Sequence, residues 1–260
     1  MKTIYYTDEL NDEFSKAEIT PRRIDDHYRY EGTFLRPLGR AVIYHGIVKP
    51  CATLYLKLKF GHRIVGGQVL KPYRHRAYYL YGNHTNAGAD ALIPTMLSWG
   101  KGTYVIVHPN NVSMPVFGHV TPILGAIPLP DTREATKHFM EYMHRLIAGQ
   151  KSITIYPEAH IWPYYTKIRP FKKDSFRYPI KDEVPVFCFV NTYQARRFRK
   201  TPRIVTYVDG PFLPDATLGG PEQRQELRDR VYNRMVEFST HSNVEMIHYE
   251  RRDESSFFGK

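Results

Sequence analysis

HRAYYLYGNHTNAGADALIPTMLSWGKGTYVIVHP, residues 75–109, decides the fold. Residues 75–84 carry an apolar, aromatic run bounded by polar residues, the signature of a buried strand. ADALIPTMLSW (89–99) reads as a helix with Pro94 in its first turns or kinking it, closed by Gly100-Lys101-Gly102. TYVIVHP (103–109) is a second short apolar strand. Strand, helix, strand in so few residues is a parallel crossover unit, and such units build α/β sheets.

The pattern continues in both directions. Upstream, FGHRIVGGQVL (60–70) reads as a strand, separated from the next by Lys71-Pro72-Tyr73. Downstream, residues 110–130 are rich in Pro and Gly, with MPVFG and LGAIPLP as short elements. A helix follows from a cap at Asp131, with Ala135, Phe139, Met143 and Leu146 at helical spacing and Gly149 as its stop. KSITIYPE (151–158), VPVFCFVNTY (184–193) and TPRIVTYVDGP (201–211) read as strands, and residues 221–240 as an amphipathic helix. The expected fold is α/β, a central mostly parallel sheet flanked by helices. Residues 60–260 form that domain, and residues 1–59 form a polar arm with an amphipathic helical segment.

The 260 residues suffice for a sizeable core, and 42% hydrophobic with 24% charged residues excludes disorder and fibrous repeats. Two cysteines, Cys51 and Cys188, supply neither a disulfide framework nor a Cys-rich zinc site, which points to a reducing compartment. The formal charge is +11 and is concentrated in two blocks. Residues 31–80 hold nine basic against one acidic residue, and residues 167–203 eleven against three. Such blocks attract nucleic acid, anionic lipid or phosphorylated small molecules. The acidic N-terminus is unlike a secretory signal, and no apolar run reaches the length of a membrane span. Residues 34–60 are nevertheless apolar and basic: Leu35, Leu38, Val42, Ile43, Ile47 and Leu54 can line one side, with Arg36, Arg40 and Lys49 outward. That segment suits either a membrane interface or the protein's own core.

Ligands of open α/β sheets gather beyond the carboxyl ends of the strands. Three strands here run out into Asn83-His84, His108-Pro109 and Pro157-Glu158. After His84 comes a small polar turn, then Asp90 in a helix's first turn. That carboxylate can hold one imidazole nitrogen and leave the other as an acceptor for a substrate proton. Read alone, His84 is more often a satisfied turn residue and Asp90 a helix-capping acid, and Glu158 has its own bland reading as an exposed strand-end carboxylate.

GNHTNAGAD (82–90), LGAIPLP (124–130), TIYPEAH (154–160) and VPVFCF (184–189) resemble, in order and spacing, the four blocks of the glycerolipid acyltransferases. The resemblance covers roughly residues 60–210, and the apolar basic window is similar to that family's membrane-associating entry. It implies acyl transfer from a thioester, acyl-CoA or acyl carrier protein, to a hydroxyl of lysophosphatidic acid or a related glycerol phosphate, with no cofactor and no metal. It implies His84 as general base steadied by Asp90, and no acyl-enzyme intermediate. Asn83, Thr85, Glu158, Ala159 and His160 would contact the acceptor, and Arg133 its phosphate. It further implies a peripheral protein on the cytoplasmic, anionic face of the cell membrane, taking part in phospholipid synthesis. VPVFCF would wall the acyl channel or serve as a core strand, and the basic block from Lys167 to Arg203 would face coenzyme A, a carrier protein or lipid.

The chain departs from the family pattern in three places. Five residues, not four, separate His84 from Asp90, so the turn at Ala87-Gly88 is expected to bulge for the pair to meet. The second block lacks its closing arginine; Asp131 stands there, with Arg133 nearby. Ala159 replaces the glycine of the third block, which is costly where the backbone is left-handed. Competing expectations are a degenerate lipid-binding homologue, a metal-dependent hydrolase drawing on the 12 histidines, and a basic nucleic-acid-binding protein, although no recognised reading motif supports nucleic acid as a partner.

Overall fold

The computed structural model describes residues 1–14, 20–30, 42–98, 101–114, 118 and 121–252. Its centre is a seven-stranded sheet. In chain order the strands are β2 (Arg63–Val65), β3 (Tyr78–Gly82), β4 (Thr103–Val107), β5 (Ala126–Pro128), β6 (Ser152–Ile155), β7 (Val186–Arg196) and β8 (Arg199–Phe212). They lie in the order β2-β8-β7-β3-β6-β4-β5, and every pair is parallel except β7 with β8, which form a long antiparallel hairpin. The mostly parallel α/β expectation holds.

β3 shows why the sheet sits at the middle of the fold. Tyr78 and Leu80 face one way; Tyr79 and Tyr81 face the other, and all four are fully buried. Tyr78 and Leu80 join Phe187 and Phe189 beneath the helices α1 (Lys49–Phe60), α2 (Ala87–Asp90) and α3 (Ile93–Leu97). Tyr79 and Tyr81 join Phe139 and Met143 of helix α4 (Arg133–Ala148) and Leu227, Val231 and Met235 of helix α6 (Gly220–Ser239). A short helix, α5 (Arg177–Lys181), precedes β7. Each fully buried Leu or Phe contributes about 1.5–3 kcal/mol.

Several local expectations change. The strand expected over 60–70 is confined to Arg63–Val65: Phe60 ends α1, and Gly67–Tyr73 is a 3₁₀ stretch. The break falls at Gly66, whose φ is +78° and where a Cβ would lie 2.3 Å from the Val208 carbonyl oxygen. The expected helix over 89–99 is split into α2 and α3, with Pro94 in the first turn of the second; Trp99 and Gly100 lie outside the described residues. Thr132, not Asp131, caps α4, accepting from the Ala135 N–H at 3.1 Å. Asp131 instead accepts from the Ile24 N–H at 2.7 Å and donates its own N–H to the Ile24 carbonyl. Of MPVFG, residues 115–117 also lie outside the described residues.

The N-terminal arm is not helical where it is described. A strand, β1 (Lys2–Tyr6), pairs in parallel with β9 (Ile247–Arg251), so the two ends of the chain form a separate ribbon. The ribbon docks through Trp162, which is fully buried against Tyr6, Phe14, Tyr165 and Tyr249, with its indole N–H donating to the Asp12 carbonyl at 2.8 Å. Of the window expected to be amphipathic, Leu35, Arg36, Leu38 and Arg40 lie outside the described residues. The described part runs through a π-helical turn, Tyr44–Val48, into α1. Ala52, Leu56 and Phe60 face the core, while Val42, Ile47, Leu54 and Leu58 are exposed.

Candidate active site

β3 ends at Gly82, where a Cβ would stand 2.2 Å from the Phe189 ring, so only glycine lets β3 and β7 close together at this end. Beyond it the chain delivers Asn83 and His84 to the rim of the sheet. His84 Nδ1 lies 2.9 Å from Asp90 Oδ2. The same oxygen accepts the Thr85 and Asn86 backbone N–H groups at 2.9 and 2.8 Å, and Asp90 Oδ1 accepts from Asn191 Nδ2 at 3.0 Å. Asp90 is buried, while the His84 side chain keeps 20% of its surface open. The imidazole stacks on the Tyr156 ring, centroids 4.6 Å apart, and the Tyr156 hydroxyl donates to the Asp90 carbonyl at 2.5 Å. Ring plane, tautomer and rim position are thus all set. A carboxylate on Nδ1 leaves Nε2 as the nitrogen that can take a proton, and no bond to Nε2 is found among the described residues.

The extra residue between His84 and Asp90 is absorbed differently from the expected bulge. Ala87 and Gly88 are helical, Asn86 is extended (φ −154°, ψ 100°), and the Thr85 and Asn86 amides wrap around the Asp90 carboxylate. Asn86 then caps α2, its side chain accepting from the Ala89 N–H.

A second carboxylate stands at the end of the neighbouring strand β6. Glu158 is 3% exposed, and both of its oxygens are engaged. Oε2 accepts the His84 N–H at 3.1 Å and faces the Arg169 guanidinium at 3.6 Å, and Oε1 accepts the Arg169 N–H at 3.1 Å. Burial pushes the Glu158 carboxyl above its usual range, and the Arg169 charge and two N–H donors oppose that shift. Arg169 is itself fully enclosed, stacked on Trp162 and bonded to the Glu158, His160 and Glu9 carbonyls.

Three of the residues expected at the acceptor point into the protein. Glu158 faces inward and holds the His84 backbone. Asn83 is buried and exchanges two bonds with the Asn191 backbone. Thr85 is buried, with its hydroxyl on the Tyr193 hydroxyl at 2.8 Å. Both side chains belong to the frame. Ala159 is exposed with φ +63°, the left-handed geometry that glycine adopts freely. His160 is half-buried, its Nδ1 3.5 Å from Glu13. Arg133 opens α4 as an exposed residue beyond edge strand β5, which lies third from β3 in the sheet order.

Sequence reasoning missed Arg169, Tyr156 and Asn191. Asn191 did leave a signal, a lone amide inside the apolar strand VPVFCFVNTY. Arg169 left none, being one cation among many in its block. Among the described residues no group of His, Cys, Asp and Glu side chains converges as a metal site would require.

Residues 68–191 match a family model described as Acyltransferase. The chain carries an acyltransferase domain. That span encloses His84, Asp90, Glu158 and Arg169 and ends on Asn191, the residue that holds the Asp90 carboxylate from β7. Solved structures similar to this chain include the crystal structure of the 1-acyl-sn-glycerophosphate (LPA) acyltransferase PlsC from Thermotoga maritima. The TM-score is 0.59 at 17% identity, over 82% of this chain and 86% of that one. The acyltransferase domain thus sits in a fold shared with that enzyme. The comparison with curated proteins gives no match.

Proposed function

We propose that this acyltransferase moves a fatty acyl group from a thioester, acyl-CoA or acyl carrier protein, to a hydroxyl of lysophosphatidic acid or a related glycerol phosphate. The observation that carries the reading is a rim imidazole gripped at Nδ1 by a buried carboxylate 2.9 Å away. His84 Nε2 takes the acceptor's hydroxyl proton as the oxygen attacks the thioester carbonyl. The C–S bond breaks, and the imidazolium returns that proton to the departing thiolate. Asp90 holds the tautomer and stabilises the transient imidazolium. Direct transfer suits the side chains present: Cys188 is buried in the core with its thiol pushed to the un-ionised form, and Cys51 lies out on α1. Arg133 receives the acceptor's phosphate in this reading, and the exposed cations of the Lys167–Arg203 block, such as Lys167, Lys172 and Arg177, receive the donor's acidic carrier.

The exposed side of α1 supports a peripheral attachment to an anionic, cytoplasm-facing membrane. Ile47, Leu54 and Leu58 recur on one helical face, with Lys57 and Lys59 close by. Among the described residues no helix is long and apolar enough to cross a bilayer. Purified protein assayed with palmitoyl-CoA against glycerol 3-phosphate, lysophosphatidic acid and lysophosphatidylcholine tests the reading. Transfer to a phosphomonoester acceptor, with a raised KM for that acceptor in Arg133→Ala, is expected; no transfer to any acceptor from palmitoyl-CoA or from palmitoyl acyl carrier protein contradicts it. Leu54→Glu with Leu58→Glu is expected to weaken co-sedimentation with phosphatidylglycerol vesicles.

A further inference from the structure

One half-buried histidine has no place in the reaction just described. His62 follows the last turn of α1, where its N–H donates to the Leu56 carbonyl at 3.2 Å. Its Nε2 lies 2.8 Å from Thr206 Oγ1 on β8, and Thr206 Oγ1 lies 2.7 Å from Asn191 Oδ1 on β7. Asn191 Nδ2 lies 3.0 Å from Asp90 Oδ1, and Asp90 Oδ2 meets His84 Nδ1 at 2.9 Å.

The direction of each bond follows from the carboxylate end. Asp90 receives donors at both oxygens, so Asn191 must turn its NH₂ toward it. The Asn191 carbonyl oxygen then faces Thr206 and can only accept, so the Thr206 hydroxyl spends its single proton there. Nothing remains for Thr206 to donate to His62, and the imidazole must carry its proton on Nε2. Asn191 is 2% exposed and Thr206 fully buried, which leaves no solvent to substitute for a missing partner.

We infer that His62, Thr206 and Asn191 are positioning residues for acyl transfer, a one-way hydrogen-bond chain that locks the Asn191 amide with its NH₂ on Asp90. Without the lock the amide can flip and set its oxygen against the carboxylate, displacing the Asp90–His84 pair. Burial pushes His62 down to about 4, so it remains a single neutral donor at ordinary pH. The chain runs from the residue just past the Gly61 cap of α1 through β8 and β7 to α2, and so links the end of the helix with the exposed apolar face to the base. The inference rests on the reading of His84 as that base.

The test pairs a broken link with a conservative one, in palmitoyl-CoA transfer to lysophosphatidic acid. Thr206→Val and His62→Leu remove the donors; Thr206→Ser and His62→Gln retain a hydroxyl and an N–H at the right reach. The broken variants are expected to lose roughly 10- to 100-fold in kcat with little change in KM, and the conservative ones to stay near wild type. Equal activity of Thr206→Val and Thr206→Ser overturns the inference. Where a broken variant unfolds, ¹⁵N-histidine spectra of the wild-type protein decide: a neutral Nε2–H tautomer at His62 is expected, and an Nδ1–H tautomer overturns the chain. His84→Ala separates the two claims. Turnover retained in His84→Ala removes the base reading, whereas an inactive His84→Ala beside a fully active Thr206→Val removes the chain alone.

Discussion

Asp90 and Glu158 are both buried, 1% and 3% exposed, and both are reached from adjacent parallel strands of one sheet. Their neighbours give them opposite tasks. Asp90 closes on an imidazole whose far side reaches the rim, so its charge can act on a proton outside. Glu158 closes on a guanidinium sealed between Trp162 and three carbonyl groups, so its charge stays inside and fixes the His84 backbone. Burial alone does not mark a carboxylate as chemical; what it holds, and whether that partner meets solvent, does.

The contrast can be broken at each corner. Asp90→Asn keeps the shape but loses the charge and one acceptor oxygen, and acyl-transfer kcat should fall roughly 10³- to 10⁴-fold with the fold intact. The same substitution at Glu158 would act on stability first, and removing its partner should show this most clearly. Arg169→Leu leaves a buried carboxylate unpaired and should cost about 3–5 kcal/mol in denaturant unfolding. A variant as stable as wild type would mean that the Glu158 corner does not brace the site.

His62 sharpens the comparison through pH. Its folded-state pKa is about 4, against the ordinary value of 6.5, so the unfolded chain binds the extra proton between these values. Stability attributable to His62 is therefore complete above pH 6.5 and lost as pH falls toward 4, by about 3 kcal/mol. His62→Gln should flatten that part of the stability profile. The smallest effect belongs to Ala159, held at φ +63° beside Glu158. Ala159→Gly should raise stability by about 1 kcal/mol and leave kcat unchanged, read from urea midpoints and initial rates.

The same two corners show what was legible in the chain. Strand ends and the α/β order follow from apolar runs and their polar stops, because burial on both faces leaves a continuous hydrophobic signal, whereas the His84–Asp90 pair was singled out by the resemblance. The inward role of Glu158 was not legible, since its partner Arg169 sits eleven residues away among cations that look alike in sequence. The β1–β9 ribbon was hidden for a related reason: its strands lie at opposite ends of the chain and are half-exposed, so neither shows a buried run. The wrap of the Thr85 and Asn86 amides around Asp90 depended on backbone geometry, which spacing does not carry. Long-range polar pairings such as Asn191 with Asp90 leave at most a lone amide in an apolar strand.

The central claim is that the His84 imidazole draws the proton from the acceptor hydroxyl. Initial rates of palmitoyl transfer to lysophosphatidic acid by His84→Ala, at matched protein concentration and with a wild-type melting curve, test it most directly. The rate is expected to fall roughly 10²- to 10⁴-fold. A variant that turns over within a few-fold of wild type would contradict the account.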